Sequence, residues 1–277
     1  MGVTSAPITP EIGLQITGLD GHELVDPARA AECQAAIDAH GVVVYKEAHI
    51  GDADLLALSE MLGTVVIPKM GGLEEHPGVD VISLDPAESA LAKYRRSTIF
   101  WHLDGTMDEL PQKATFLTAL VVAEEGGDTE FANTYAAYDA LPEDEKAKID
   151  DLRVEHSFTA AQLMFTPEPT DKQRAAWAEV PSRVHPLVWR RRDGRRSLLI
   201  GSTAGRLVGL PDDESRALLD HLLDWVTQPR FVLRHQWSPG DLVGWDNTGL
   251  LHRAIPYEAT SHRLLHRTTL VGEEAVA

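Results

Sequence analysis

Trp101-His102-Leu103-Asp104 places an imidazole and a carboxylate two residues apart. In an extended strand such residues point to one face and can close on a common metal, whereas on a helix they diverge. Leu103 then faces the other way. His-x-Asp arises by chance in many chains, so a third ligand must be chosen for a reason among the 12 histidines. His252 is the best candidate. It follows an expected strand at 241–245 and the turn-like Asp246-Asn247-Thr248-Gly249, and strand ends meeting across a barrel mouth can carry it to the other two. Each residue alone has an ordinary reading: a structural histidine for His102, a turn cap before Gly105 for Asp104, and a half-buried polar strand end for His252. Together, two neutral imidazoles and one carboxylate form a facial set with three octahedral positions open, which suits iron(II) used with oxygen. A zinc hydrolase can use the same ligand types. An anchor for an organic cosubstrate separates the two.

Arginines supply a candidate anchor. In His262-Arg263-Leu264-Leu265-His266-Arg267-Thr268-Thr269-Leu270, read as a strand, Arg263, Leu265, Arg267 and Thr269 share a face. The two guanidiniums stand roughly 13 Å apart at about 3.3 Å per residue, too far for one small carboxylate but suited to two anions flanking a metal. Arginine is the residue for bidentate carboxylate recognition. The plain alternative is a pair of surface ion pairs in a chain with 43 Asp and Glu. Gly126-Gly127-Asp128-Thr129 reads as a tight turn, with the Thr129 hydroxyl starting the next strand and facing the pocket.

The elements that must position these groups are short and mostly extended. Asp26-Pro27 caps a helix that Gly41 ends after His40, and Val42 to Tyr45 follow as a buried strand. A second helix over 52–62 places Leu55, Leu58, Met61 and Leu62 on one face. Strands are expected at 79–84, 114–123, 129–132, 231–236, 241–245 and 264–271. A helical region starts near Thr134, a hairpin turns at Asp193-Gly194, and an amphipathic helix spans 212–226. Irregular, charged residues at 69–100 read as a lid or substrate loop on a single domain of residues 1–277. The expected fold class is mainly β with flanking helices, a barrel or two-sheet jelly roll.

Composition narrows the partners. A net charge of −18 argues against nucleic acid, whose phosphates need clustered Lys and Arg. Cys33 is the only cysteine, which fits a reducing compartment. No apolar run approaches a membrane span and the first residues lack a signal-peptide pattern, so a cytoplasmic protein is expected. No feature decides for or against a homo-oligomer.

In the same order, Trp101-His102-x-Asp104, Gly126-Gly127-Asp128-Thr129-Glu130-Phe131, Ala136-Ala137-Tyr138-Asp139-Ala140-Leu141-Pro142, Gly240-Asp241-Leu242-Val243-x-Trp245-Asp246-Asn247, Leu251-His252-Arg253, Arg263 and His266-Arg267-Thr268-Thr269 resemble the taurine dioxygenase and dichlorophenoxyacetate dioxygenase family. The resemblance implies a double-stranded β-helix, iron(II), 2-oxoglutarate and O2, with ascorbate as an in vitro helper. It implies His102, Asp104 and His252 as iron ligands, and Arg263 with Thr129 on the distal carboxylate of 2-oxoglutarate. Arg267 matches the position that holds the substrate's anionic group. Hydroxylation of a small carboxylate or sulfonate, releasing succinate and CO2, is the implied reaction. Asp104 stands where related halogenating enzymes carry a small residue. Leu103 and Gly105-Thr106-Met107 depart from the family pattern, which leaves the substrate open. Desaturation or isonitrile formation on an amine-containing acid, and a non-catalytic small-acid or metal-binding jelly roll, are the alternatives. Trp101, Phe100, Met107, Phe158 and Met70 are candidate apolar pocket residues. Thr98, Lys69, Tyr94 and Arg95 are candidate polar ones.

Overall fold

The computed structural model describes residues 2–277, with the side chain of Tyr94 outside the described part. It is a mixed α/β architecture built on largely antiparallel sheets, with one parallel pair, Leu14–Thr17 beside Val42–Tyr45. A seven-stranded sheet runs in the order Thr4–Pro7, Leu14–Thr17, Val42–Tyr45, Leu242–Asp246, Ala114–Val121, Leu264–Thr269 and Asp80–Ile82. A three-stranded sheet has Thr129–Asn133 at its centre, flanked by Val232–His235 and Leu250–Ala254. Leu117, Phe131, Leu233, Val243, Trp245, Leu250 and Leu265 fill the space between the two sheets.

Strand alternation explains why the large sheet can be covered on both faces. Val243 and Trp245 face the smaller sheet, while Leu242 packs outward with the helices Pro27–His40 and Asp52–Leu62. Val42–Tyr45 has every residue buried and is paired on both sides, as a central strand must be. Gly244 lets the first helix approach: a Cβ there would stand 2.5 Å from the Phe116 ring and 3.3 Å from Ile37. That helix starts where Asp26 accepts from the Ala28 and Arg29 amides and ends at Gly41, with φ of 72°. On the second helix Leu55, Leu58 and Leu62 are buried as expected, but Met61 is 40% exposed and lies off the packed face.

A third layer completes the molecule. Arg153–His156 pairs with Ala204–Leu207 and Arg183–Pro186. The hairpin Val188–Arg190 with Arg196–Leu198 and the helix Asp212–Val226 surround a core of Trp189, Leu198, Leu219, Leu222 and Val226. The segment 69–100 is not a solvated loop. Val79, Asp80, Val81, Ser83, Ser89 and Ala92 are buried, and Asp80–Ile82 is an edge strand on Leu264–Thr269. Among the described residues no helix is long and apolar enough to cross a membrane.

Candidate active site

His252 lies within strand Leu250–Ala254, opposite Phe131, and not in the tail of strand Leu242–Asp246. His102 belongs to no ladder. It forms a single antiparallel bridge with His252, its amide donating to the His252 carbonyl at 3.0 Å and its carbonyl accepting from the His252 amide at 2.8 Å. Two residues bonded in this way direct their side chains to one side, and the imidazole centroids are 4.1 Å apart. Asp104 comes from the turn that follows, not from a continued strand. Its Oδ1 is 3.8 Å from His102 Nε2 and its Oδ2 is 3.7 Å from His252 Nε2. One ligand atom from each of the three lies within 4.8 Å of the others.

Protonation states suit a cation. His102 Nδ1 lies 2.8 Å from the Phe100 carbonyl. A carbonyl only accepts, so Nδ1 carries the hydrogen and Nε2 offers its lone pair. Burial, and then His102 beside it, pushes His252 down to about 3, leaving it neutral. Burial alone would raise the Asp104 carboxyl. The positive charge around it, Arg267 and Arg95 included, outweighs that and holds it below the usual carboxylate range. Asp104 Oδ2 is buried without a hydrogen-bond donor, and a buried carboxylate oxygen in that condition is stable only with a positive partner.

The turn after Asp104 is clamped from the third layer. Gly105 has φ of 80°. Thr106 Oγ1 is 2.9 Å from Thr203 Oγ1, which is also 2.9 Å from His156 Nδ1. His185 Nε2 donates to the Asp108 carbonyl at 3.2 Å, and Arg183 Nε to the Met107 carbonyl at 3.3 Å. On the other side, Arg253 forms an ion pair with Glu130, its cross-strand neighbour, at 2.7 Å and stacks on the Trp101 ring at 4.6 Å. Nothing in the sequence pointed to these supports, because they join segments far apart in the chain.

A cavity of about 70 Å³ beside the three groups is lined by Arg263, Thr129, Trp245, Leu117, Tyr257, Arg267, Arg95, Thr98 and Ile82, among others. Arg263 is 3% exposed and has no carboxylate at ion-pair distance among the described residues; its guanidinium sits over the Tyr257 ring at 4.7 Å. Gly127 makes room for it, since a Cβ there would stand 2.9 Å from Arg263 Cδ and Nε. Trp237 Nε1 donates to Thr129 Oγ1 at 3.0 Å, which leaves the Thr129 hydroxyl hydrogen for an acceptor in the cavity. Arg263 precedes strand Leu264–Thr269, whose register shifts between Leu264 and Leu265. Arg267 is on the strand itself, where Leu265 also faces inward while His266 meets Asp52 at 2.6 Å and Thr268 meets Ser59 at 2.6 Å on the helix side.

Arg267 is already engaged. Its Nη2 donates to Asp80 Oδ2 at 2.9 Å, its Nη1 is 3.7 Å from Asp104 Oδ2, and Arg95 Nη2 donates to the same Asp80 oxygen at 2.6 Å. Of the apolar pocket candidates, Trp101, Met107, Phe158 and Met70 do not line this cavity; Met70 is 59% exposed and Trp101 is buried under Arg253. Thr98 and Arg95 do line it, Lys69 is exposed, and the Tyr94 side chain lies outside the described residues. Asp80, Leu117, Trp245 and Tyr257 carried no signal as site residues, since each looks in sequence like ordinary strand or turn content. A larger surface cleft of about 750 Å³, beside helices Phe158–Phe165 and Asp171–Ala178, shares no lining residue with this cavity and, among the described residues, holds no comparable ligand cluster.

Antiparallel sheets that bring two histidines, a carboxylate and a buried arginine with no carboxylate partner around one cavity define a protein built to hold a metal beside a small anion. By its match to the model of the Taurine catabolism dioxygenase TauD, TfdA family over residues 4–269, the chain belongs to that family. It is an α-ketoglutarate-dependent dioxygenase, a class that works with iron(II), 2-oxoglutarate and O2. It is 31% identical over 295 residues to the alpha-ketoglutarate-dependent 2,4-dichlorophenoxyacetate dioxygenase of Cupriavidus pinatubonensis, covering 100% of both chains. It is 31% identical over 275 residues to the (S)-phenoxypropionate/alpha-ketoglutarate-dioxygenase of Sphingobium herbicidovorans, covering 98% of this chain and 95% of that one. An alkylsulfatase of Acinetobacter baylyi is 31% identical over 274 residues, covering 96% of this chain and 84% of its own. The solved structure of AAD-2 in complex with Mn(II) and N-oxalylglycine superposes with a TM-score of 0.84 at 30% identity, over 100% of both chains.

Proposed function

We propose that this dioxygenase hydroxylates a C–H of a small carboxylate- or sulfonate-bearing substrate at an iron(II) held by His102, Asp104 and His252. The convergence of two imidazole Nε2 atoms and a buried, donor-free carboxylate oxygen on one point carries this reading. The donor set is that of a facial triad with open positions, so these residues fit iron(II). Bound there with 2-oxoglutarate, the metal supplies O2-dependent oxidation that releases succinate and CO2.

The chain's own residues provide placement. Arg263 and the Thr129 hydroxyl hold the distal carboxylate of 2-oxoglutarate; a buried guanidinium with no counter-ion is otherwise costly. Arg267 and Thr98 stand on the substrate side, and the 69–100 segment forms that wall by contributing Ile82, Arg95 and Thr98. Holding the target C–H against the metal selects the product. A hydroxyl placed on carbon bearing an ether oxygen, a sulfonate or an amine collapses and releases a fragment, and the names of the phenoxy-acid and alkylsulfatase relatives support such a substrate class. The two facing antiparallel sheets read as the jelly roll of a double-stranded β-helix in a single domain.

The test is succinate formation from 2-oxoglutarate with iron(II) and ascorbate, with and without a panel of small acids. Turnover is expected in the wild-type protein and is lost in His102→Ala, while the metal-free variant stays folded. Activity in His102→Ala would remove it from the ligand set, and product analysis separates hydroxylation from desaturation.

A further inference from the structure

Asp80 and Arg95 lie outside every motif that pointed to the site. Asp80 is on the edge strand Asp80–Ile82 and Arg95 at the end of the short helix Ala92–Arg95. Asp80 is 5% exposed, and its Oδ2 receives both Arg95 at 2.6 Å and Arg267 at 2.9 Å. Arg95 also donates to the Val81 carbonyl at 3.2 Å. Donors are left over: the Nε atoms of Arg95 and Arg267 are buried without partners. Arg95 lines the inner cavity and also an outer one of about 360 Å³, whose wall includes Leu84, Ile99, Phe165, Ile255 and Pro256. It therefore stands between a charged inner chamber and a mostly apolar outer one.

We propose that Asp80 and Arg95 form a charge-reading pair that restricts the substrate to a single negative charge, met at Arg95, with its apolar part in the outer cavity. This rests on the function proposed above. Arg263, Arg267 and Arg95 line the inner cavity; Asp80 is paired with Arg95 and Arg267, and Asp104 Oδ2 lies 3.7 Å from Arg267. Arg253, which also lines it, is paired with Glu130, and the outer cavity adds one residue of each sign, Arg96 and Glu258. Three guanidiniums against two carboxylates leave one positive charge. A divalent metal and doubly charged 2-oxoglutarate cancel, so that excess persists when both are bound. In a buried site an unbalanced charge is expensive. A monoanion completes the balance, a neutral molecule leaves it open, and a dianion overshoots it. Asp80 sets the count, because without it two positive charges would remain.

The experiment measures thermal shifts and dissociation constants of protein loaded with Mn(II) and N-oxalylglycine. The probes are C4 to C8 alkyl carboxylates, sulfonates and sulfate monoesters and aryloxyacetates, each with a neutral amide or alcohol counterpart and a substituted malonate as the dianion. Monoanions are expected to raise the Tm of the wild-type protein and their counterparts to do so far less. Arg95→Gln weakens the best monoanion by about tenfold or more, the size of a lost charge-assisted contact, and removes its advantage over the neutral analogue. Arg95→Lys retains part of that advantage. Asp80→Asn moves the preference toward the dianion, a change that loss of packing alone would not produce. Unaltered monoanion binding in Arg95→Gln, an unmoved preference in Asp80→Asn, or no monoanion binding at all overturns the pair's role. Loading with Mn(II) and N-oxalylglycine separates the two levels. If it fails to stabilise the wild type, the proposed function fails. If it stabilises wild type and Arg95→Gln alike without charge preference, only this inference fails.

Discussion

At the scale of single residues, the site depends on which atoms are left without partners. Asp104 Oδ2 is buried without a hydrogen-bond donor, its nearest guanidinium nitrogen being Arg267 Nη1 at 3.7 Å, and Arg263 is buried with no carboxylate at ion-pair distance among the described residues. Arg267 differs, because Asp80 already holds one of its nitrogens. Replacing Arg267 with Ala is expected to raise the KM for substrate far more than that for 2-oxoglutarate; equal rises would contradict its place on the substrate side. Gly127→Ala tests the opposite end. A Cβ at 2.9 Å from Arg263 Cδ and Nε must displace that side chain, and φ of 72° adds backbone strain. Loss of one charge-assisted bond, about 1.5–3 kcal/mol, corresponds to a rise of about 10- to 100-fold in the 2-oxoglutarate KM. A steady-state comparison in which only substrate KM moved would exclude Arg263 as the cosubstrate anchor.

At the scale of elements, the metal ligands are held from two separate layers. The bridge between His102 and His252 fixes two of them, and the clamp from Thr203, His156 and His185 fixes the turn carrying Asp104. Thr203→Val removes the hydroxyl shared by Thr106 and His156. It is expected to weaken metal binding by roughly 10-fold, the lower range for lost outer supports, with little change in Arg263-dependent cosubstrate affinity. Calorimetric titration with Mn(II) checks this, and an unchanged affinity would show that the turn keeps its shape without the clamp.

The sequence made the helices over 27–40, 52–62 and 212–226 legible, because caps and apolar periodicity are local signals. The strand Val42–Tyr45 was equally plain as a run of β-branched residues. The triad, Thr129 and the two arginines could be singled out by type, spacing and family resemblance. Strand Leu250–Ala254 was hidden because its apolar run is only Leu250-Leu251, and the Asp80–Arg95–Arg267 network was hidden because a pairing across the sheet edge leaves no periodicity. Met70, Met107 and Phe158 were misplaced for the same reason: hydrophobicity marks a residue for burial but does not say against which wall.

At the scale of the whole molecule, buried histidines tie stability to pH. His156 is fully buried, and burial, then His185, pushes it down to about 3. Between that value and the ordinary one near 6.5 the unfolded chain binds a proton that the folded chain refuses. Stability is thus complete above the ordinary value and falls as pH drops toward about 3, at a steepest rate of about 1.4 kcal/mol per pH unit. His156→Gln should remove that component, so the denaturation free energies of variant and wild type converge between pH 6 and pH 4, roughly the titration window of such a group. Parallel curves would contradict the assignment. Asp241 acts lower on the scale. Burial would raise it, but His235, Lys46 and the amides of Ser238 and Glu47 bring it down to about 2. Its contribution is present above the usual carboxylate value and is lost only as pH falls toward about 2.

The most direct measurement is an anaerobic crystal structure of the protein with Mn(II) and N-oxalylglycine, located by the anomalous signal of manganese. One manganese is expected, coordinated by the Nε2 atoms of His102 and His252 and by an Asp104 oxygen, with the far carboxylate of N-oxalylglycine on Arg263 and Thr129. Manganese bound elsewhere, or the three side chains turned away from it, would contradict the account at its centre.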